Sequence, residues 1–74
     1  MAVKYIKLWK LLLDKKLKRT YLIPIAGISA NVLARLGKDE YVALESLEKI
    51  CVALGCDIGN IVEIVNDSTP EDIT

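Results

Sequence analysis

Apolar residues recur at helical spacing along most of this chain of 74 residues. The clearest stripe is formed by Leu44, Leu47, Ile50, Cys51 and Leu54, which would lie on one face of a helix. Weaker stripes cover four other segments, and we identify no strand pattern. The hydrophobic pattern therefore predicts an all-α fold, a compact five-helix bundle with helices over about 4–15, 19–26, 30–36, 44–54 and 58–65.

The first and last predicted helices have definite apolar faces. The first has an inward stripe, widened by Leu8, and carries lysines on its solvated side. The last follows Asp57, which is a suitable N-cap. The predicted inward residues are Ile6, Trp9, Leu12 and Leu13 in the first helix, and Ile58, Ile61, Val62 and Val65 in the last.

Local signals divide the segment 19–37 into two helices joined by a tight turn. Thr20 is a possible N-cap for the first of them, although Pro24 lacks an N–H group and should leave that helix short, shifted or distorted. Gly27 permits a sharp turn, Ser29 is typical of an N-cap, and Gly37 is a suitable stop. This order of elements is the layout of a helix-turn-helix unit.

The second helix of this unit would have one packed side and one open side. Leu33 and Leu36, with Ile28 just before the cap, should anchor it. The open side would then carry polar side chains with bidentate hydrogen-bond matches to base edges, Asn31 to adenine and Arg35 to guanine.

Three sequence blocks in the same order resemble the Cro/CI-like (Xre-type) helix-turn-helix family, and in particular its small stand-alone bacterial transcriptional regulators. These blocks are Lys-Leu-Trp-Lys-Leu-Leu at 7–12, Ala-Gly-Ile-Ser at 26–29, and Leu-Glu-Lys-Ile-Cys-Val-Ala-Leu-Gly-Cys-Asp-Ile at 47–58. They span nearly the whole chain. The resemblance implies a lambda-repressor-like domain that binds double-stranded DNA.

Carried over residue by residue, the resemblance assigns two sets of DNA contacts. The third predicted helix would read base edges in the major groove, and the start of the second would meet phosphates. Such regulators often bind palindromic sites as homodimers, here with the fifth predicted helix (Ile61, Val65) as a candidate dimer surface. The base-edge residues would be Ser29, Ala30, Asn31 and Arg35, and the phosphate contacts Lys18, Arg19, Thr20, Tyr21 and Lys38.

Some positions depart from the family pattern. Pro24 stands where a polar or basic residue is usual, and Ala43 where a Ser or Thr cap is common. Ile23 and Ile25 also make the second predicted helix unusually apolar. The surface formed by Tyr21 and residues 23–25 therefore supports an alternative, a protein–protein interaction module of antitoxin-like or anti-repressor-like type on the same fold.

The net charge of zero hides a strong asymmetry. Residues 1–38 carry nine basic groups and one acid, whereas residues 39–74 carry one basic group and nine acids. Four bases flank the predicted DNA-binding helices, namely Lys18, Arg19, Arg35 and Lys38. We therefore expect a DNA-binding domain over 1–66 and a polar, acidic tail over 67–74.

Other functions have little support in the sequence. The chain has no His and no paired carboxylates, so we expect neither an enzyme nor a cofactor, a metal or a small-molecule ligand. No segment fits a signal peptide or a membrane span, which predicts a cytoplasmic protein. Binding of the basic first helix to a membrane surface is a third hypothesis, disfavoured because its apolar stripe is needed for the core.

Two cysteines, Cys51 and Cys56, are separated by four residues. With no other Cys or His, they cannot complete a tetrahedral zinc site. Cys51 lies on the inward face of its predicted helix and is interpreted as a small core residue. A disulfide between the two depends on the geometry of the turn after that helix.

Overall fold

The computed structural model describes residues 2–65, so the predicted tail over 67–74 lies outside the described residues. Within them, four α-helices are combined with one pair of short strands. The elements are β1 (Ala2–Lys4), α1 (Ile6–Asp14), α2 (Leu22–Ala26), α3 (Ala30–Gly37), α4 (Leu44–Leu54) and β2 (Glu63–Val65), with 3-10 turns over Arg19–Tyr21 and Ile58–Asn60.

The fourth helix follows its predicted bounds. Leu47, Ile50 and Leu54 of α4 are buried, as their spacing requires. Leu44, which was predicted on the same face, is 69% exposed because it lies in the first turn, beyond the edge of the core. Ala43 is the N-cap of α4 and accepts no side-chain hydrogen bond, as expected for an alanine there.

The first helix is shorter than predicted and rotated relative to its predicted face. It begins at Ile6, because the residues before it pair as a strand. Leu8 and Leu12, one helical turn apart, are the buried residues, whereas Ile6 and Leu13 are 51% and 76% exposed. The side chain of Tyr5, only 1% exposed, enters the core just before the helix and so fixes which face of α1 packs inward.

The predicted fifth helix is wrong. Asp57 does act as a cap, accepting a hydrogen bond from Ile58 N at 3.0 Å, but it opens only a single 3-10 turn. The chain beyond that turn is extended as β2. Gly59 weakens a helix, and the β-branched residues from Ile61 onward favour a strand once a pairing partner is available.

That partner is the N-terminal strand, so the five-helix bundle becomes four helices and an antiparallel strand pair. Ala2 lies opposite Val65, Val3 opposite Ile64, and Lys4 opposite Glu63. Lys4 and Glu63 place opposite charges in register, which favours this pairing. The two ends of the described chain are thereby joined.

One cluster of buried side chains connects all these elements. It lies between the strand pair, α1 and the α2–α4 region, and α2 packs closely against α4. Ile61, on the predicted fifth helix, is fully buried in it. The cluster consists of Val3, Tyr5, Leu8, Leu12, Leu22, Ala26, Ile28, Leu36, Leu47, Ile50, Leu54 and Ile61.

Candidate nucleic-acid interface

The turn between α2 and α3 has the predicted helix-turn-helix geometry. Gly27 adopts a left-handed conformation, with φ of 72°, and its N–H donates to Ile23 O at 3.0 Å. The hydroxyl of Ser29 then caps α3 by accepting a hydrogen bond from Val32 N at 3.1 Å. Between them, Ile28 is 5% exposed and anchors the turn in the core.

The start of the second helix is distorted, as Pro24 led us to expect. A 3-10 turn over Arg19–Tyr21 precedes α2, and α2 itself has five residues. Thr20 lies inside the 3-10 turn, and its side chain caps neither element, so its prediction as an N-cap is wrong. Tyr21 N donates to Lys18 O at 3.0 Å, so this main-chain group is not available to a phosphate.

The third helix separates the packed and open sides as its sequence predicts. Leu36 is fully buried, and Val32 and Leu33 are half-buried against the core. The cap and the open side of the helix carry four exposed residues, three of which have polar side chains. These are the predicted base-edge residues Ser29, Ala30, Asn31 and Arg35.

The predicted phosphate contacts are also exposed, and they lie at two places. Four of them occupy the 3-10 turn and the residue before it, at the entrance to α2. Lys38 directly follows α3 and forms its C-cap. The four at the entrance are Lys18, Arg19, Thr20 and Tyr21.

One feature of this surface was not predicted from the sequence, namely the role of Trp9. The guanidinium carbon of Arg19 lies 4.0 Å from the centre of the Trp9 ring. This cation–π contact joins the entrance of α2 to α1 and restricts the Arg19 side chain while its donors remain exposed. Arg and Trp are the usual partners in such contacts, but nothing in their spacing indicated this pair.

The end of the third helix is fixed by contacts that the sequence also did not indicate. Asp39 has a left-handed φ of 56°, and its carboxylate accepts a hydrogen bond from Tyr5 N at 3.2 Å. Lys4 Nζ lies 3.7 Å from the other oxygen of Asp39, and the Tyr5 hydroxyl donates to Glu40 O at 2.7 Å. Burial, followed by the negative charge of Asp39, raises the pKa of Tyr5.

Acidic groups line a different part of the surface. Glu45, Glu48 and Asp57 border a groove of about 430 Å³ between α4 and the second 3-10 turn, and none of the predicted DNA-contacting residues lines it. These three acids are thus displaced from the exposed side of α3, whereas Asp39 borders a groove with Arg19. This partial separation of charge favours one orientation toward a polyanion.

Two further findings concern other kinds of site. In the part of the chain that the structure describes, no three His, Cys, Asp or Glu side chains are grouped so that they could hold a metal ion. None of the helices in residues 2–65 is both long and apolar enough to cross a membrane.

Comparison with known proteins gives this arrangement its context. A search of curated proteins finds no match. A solved structure of the transcriptional regulator VanUg is 44% identical in sequence, with a TM-score of 0.84, over 89% of this chain and 88% of that one. The model of the Cro/C1-type helix-turn-helix DNA-binding domain matches residues 7–67. The chain therefore belongs to the Cro/C1-type helix-turn-helix family of DNA-binding domains.

Proposed function

We propose that this protein is a sequence-specific transcriptional regulator that reads the major groove of DNA with α3 and its Ser29 cap, residues 29–36. The observation that carries the proposal is the division of α3 into two sides. Asn31 and Arg35 are exposed on a helix whose other side is anchored in the core by Leu36. A rigidly held helix with polar groups on its open side suits insertion into a groove.

The chemistry of the open side supports base readout. Asn31 can form two hydrogen bonds with adenine, and Arg35 can form two with guanine. They are four residues apart, about 6 Å along the helix axis, and so share one face. Ala30 can contact a thymine methyl group, and the Ser29 hydroxyl can still donate while its oxygen caps the helix.

The phosphate contacts would come from the two ends of the helix-turn-helix. Arg19 is the best placed, because stacking on Trp9 reduces the conformational freedom that it would lose on binding. Lys18, Thr20 and Tyr21 would act beside it, and Lys38 at the end of α3. These contacts would position α3 without selecting a sequence.

We further propose that the regulator acts as a homodimer on a palindromic site, in the cytoplasm. A single protomer offers few base contacts, and two linked copies would multiply their affinities. The predicted dimer surface needs correction, however. Ile61 is fully buried within one protomer and cannot contact a second copy, whereas Val65 lies on β2 and is half-buried.

Selection of bound sequences from random double-stranded DNA, repeated at two salt concentrations, tests the proposal. We expect an enriched site with two-fold symmetry and weaker binding at higher salt. The double variant N31A/R35A should lose about 1–3 kcal/mol of discrimination for each good base contact, so that its binding becomes nearly independent of sequence.

The matched control is K7A/K10A, which removes two exposed polar side chains from α1 and leaves α3 intact. It should select the same site as the wild type. Unchanged discrimination in N31A/R35A would contradict readout by α3.

A second candidate function is a protein–protein interaction through the surface of α2. Tyr21 and Ile25 are 49% and 46% exposed, and Pro24 is exposed between them. Ile23 is half-buried against the core, so this apolar patch is smaller than predicted. Stable association with another protein that is abolished by Ile25→Asp, together with no salt-sensitive DNA binding, would favour this function over DNA readout.

A further inference from the structure

The two cysteines occupy the two ends of a helix-terminating motif. Cys56 N donates to Cys51 O at 3.0 Å, and Gly55 N donates to Val52 O at 3.4 Å. Gly55, between them in the chain, is left-handed with φ of 66°. This pair of hydrogen bonds around a left-handed residue is the Schellman motif, which is frequently accompanied by a contact between the side chains at its two outer positions.

The end of the first helix shows the same motif with apolar residues. Leu17 N donates to Leu12 O at 2.9 Å, and the residue between them, Lys16, is left-handed with φ of 59°. Leu12 is buried, and Leu17 packs against the core beside it. At the end of α4, cysteines occupy the two positions that correspond to these leucines of α1.

The backbone brings Cys51 and Cys56 close enough for a disulfide. A hydrogen bond of 3.0 Å between their main-chain atoms limits the distance between their Cα atoms to about 7 Å, given standard bond lengths. A disulfide is prevented by a larger Cα separation or by Cβ atoms that point apart, and the hydrogen bond removes the first of these obstacles. Both cysteines are free thiols and half-buried, so each is partly accessible to small molecules.

The two thiols differ in their surroundings. Cys56 borders an open groove lined by Lys7, Lys10, Leu11, Asp14, Gly55 and Asn60, where two ammonium groups face one carboxylate. Cys51 borders the acidic groove with Glu45, Glu48 and Asp57. The pKa of Cys51 is raised, first by burial and second by the neighbouring Cys56 thiol. Cys56 is therefore the thiol that an anionic reagent would reach first.

We propose that Cys51 and Cys56 form a redox modification site, a dithiol that closes to an intramolecular disulfide by exchange with an anionic low-molecular-weight disulfide. The Cys56 thiolate attacks one sulfur of the reagent, forms a mixed disulfide and releases one thiolate. Cys51 then loses its proton to water and attacks the Cys56 sulfur, which releases the second thiolate. The protein loses two electrons and two protons, and the reagent is reduced to two thiols.

The test uses the full chain with glutathione disulfide as the probe and intact mass under non-reducing conditions as the readout. We expect the wild type to lose two hydrogens without forming covalent dimers. Digestion should then yield a peptide in which Cys51 and Cys56 are joined by a disulfide. A protein that keeps both thiols, stops at the mixed disulfide or forms covalent dimers would overturn the proposal.

Single substitutions separate the two roles. C51S should stop at a stable mixed disulfide on Cys56, and C56S should react several-fold more slowly than C51S. Equal rates for the two variants would contradict the assignment of Cys56 as the first thiol to react.

Two further controls address geometry and charge. C51S/V52C keeps two thiols but turns one by about 100° around α4, so it should form mixed disulfides without closing the ring. K7A/K10A should slow the reaction with glutathione disulfide and leave the reaction with uncharged hydroxyethyl disulfide unchanged. Ring closure in C51S/V52C as fast as in the wild type would show that the Schellman positions are not required.

Discussion

Tyr5 fastens the beginning of α1 to the end of α3 through two separate groups. Its main-chain N–H donates to Asp39, and its hydroxyl donates to the carbonyl of Glu40 at 2.7 Å. Its ring is 1% exposed, so one residue joins the core, the N-terminal strand and the helix that we propose enters the groove. Tyr5 thus supports the orientation of α3 without belonging to its exposed side.

Tyr5→Phe should therefore destabilise the fold in a way that depends on pH. At neutral pH the lost hydrogen bond should cost about 1 kcal/mol of unfolding free energy. The pKa of Tyr5 is raised in the folded chain, first by burial and then by Asp39. The unfolded chain, which has the ordinary tyrosine pKa, releases the phenolic proton at about pH 10, whereas the folded chain still retains it at that pH.

The sign of this effect follows from proton counting. Above about pH 10 the unfolded chain binds fewer protons than the folded one, so the stability of the wild type falls as pH rises. Tyr5→Phe lacks this contribution, and the stability gap between the two proteins should narrow above about pH 10. Urea unfolding between about pH 7 and about pH 11 measures the gap. A gap that stays constant throughout would contradict the role given to the buried phenol.

The contact between Arg19 and Trp9 is an interaction that inspection of the sequence, residue by residue, does not predict. The exposure of all nine predicted DNA-contacting residues could be inferred locally, from helix faces and turn signals. The stacking of Arg19 on Trp9 could not be inferred in this way, because Trp9 lies on α1 and approaches Arg19 only once the core has formed. The same holds for the contact of Tyr5 with Asp39.

Among the elements, α3 and α4 were predicted well because their limits are set locally. Ser29 starts α3, and the left-handed Gly55 ends α4. Residues 58–65 were misassigned because apolar residues at 58, 61, 62 and 65 fit a helix as well as a turn followed by a strand. The strand Ala2–Lys4, whose pairing decides between these two structures, lies at the opposite end of the chain. Hydrophobic periodicity within a short sequence window carries no information about so distant a partner.

The N-caps of α2 and α3 can be compared by mutation, because Thr20 and Ser29 were both predicted as N-cap residues. Only Ser29 accepts a main-chain hydrogen bond. Ser29→Ala should lower the unfolding free energy by about 1 kcal/mol, and Thr20→Ala should change it by less than about 0.5 kcal/mol. Urea unfolding of the two variants without DNA provides the comparison. Equal losses would mean that Thr20 also caps a helix in solution.

For the whole molecule, the separation of charges matters more than the net charge of zero. The positive half of the sequence includes α1 as well as the helix-turn-helix, but only part of it flanks α3. Lys7 Nζ lies 3.4 Å from Gly59 O and, with Lys10, lines the groove beside the second 3-10 turn. We therefore propose that Lys18, Arg19, Arg35 and Lys38 supply the DNA-facing charge and that Lys7 and Lys10 do not.

This assignment predicts how DNA affinity depends on salt. Each neutralised phosphate contributes about 0.9 to the slope of log affinity against log salt concentration. K18A/K38A should therefore lower the slope by about 1.8 for each bound protomer, and K7A/K10A should leave it unchanged. Both double variants alter the net charge by the same amount, so a difference between them reports contact rather than long-range attraction. Equal reductions would place α1 against the DNA as well and enlarge the interface beyond the helix-turn-helix.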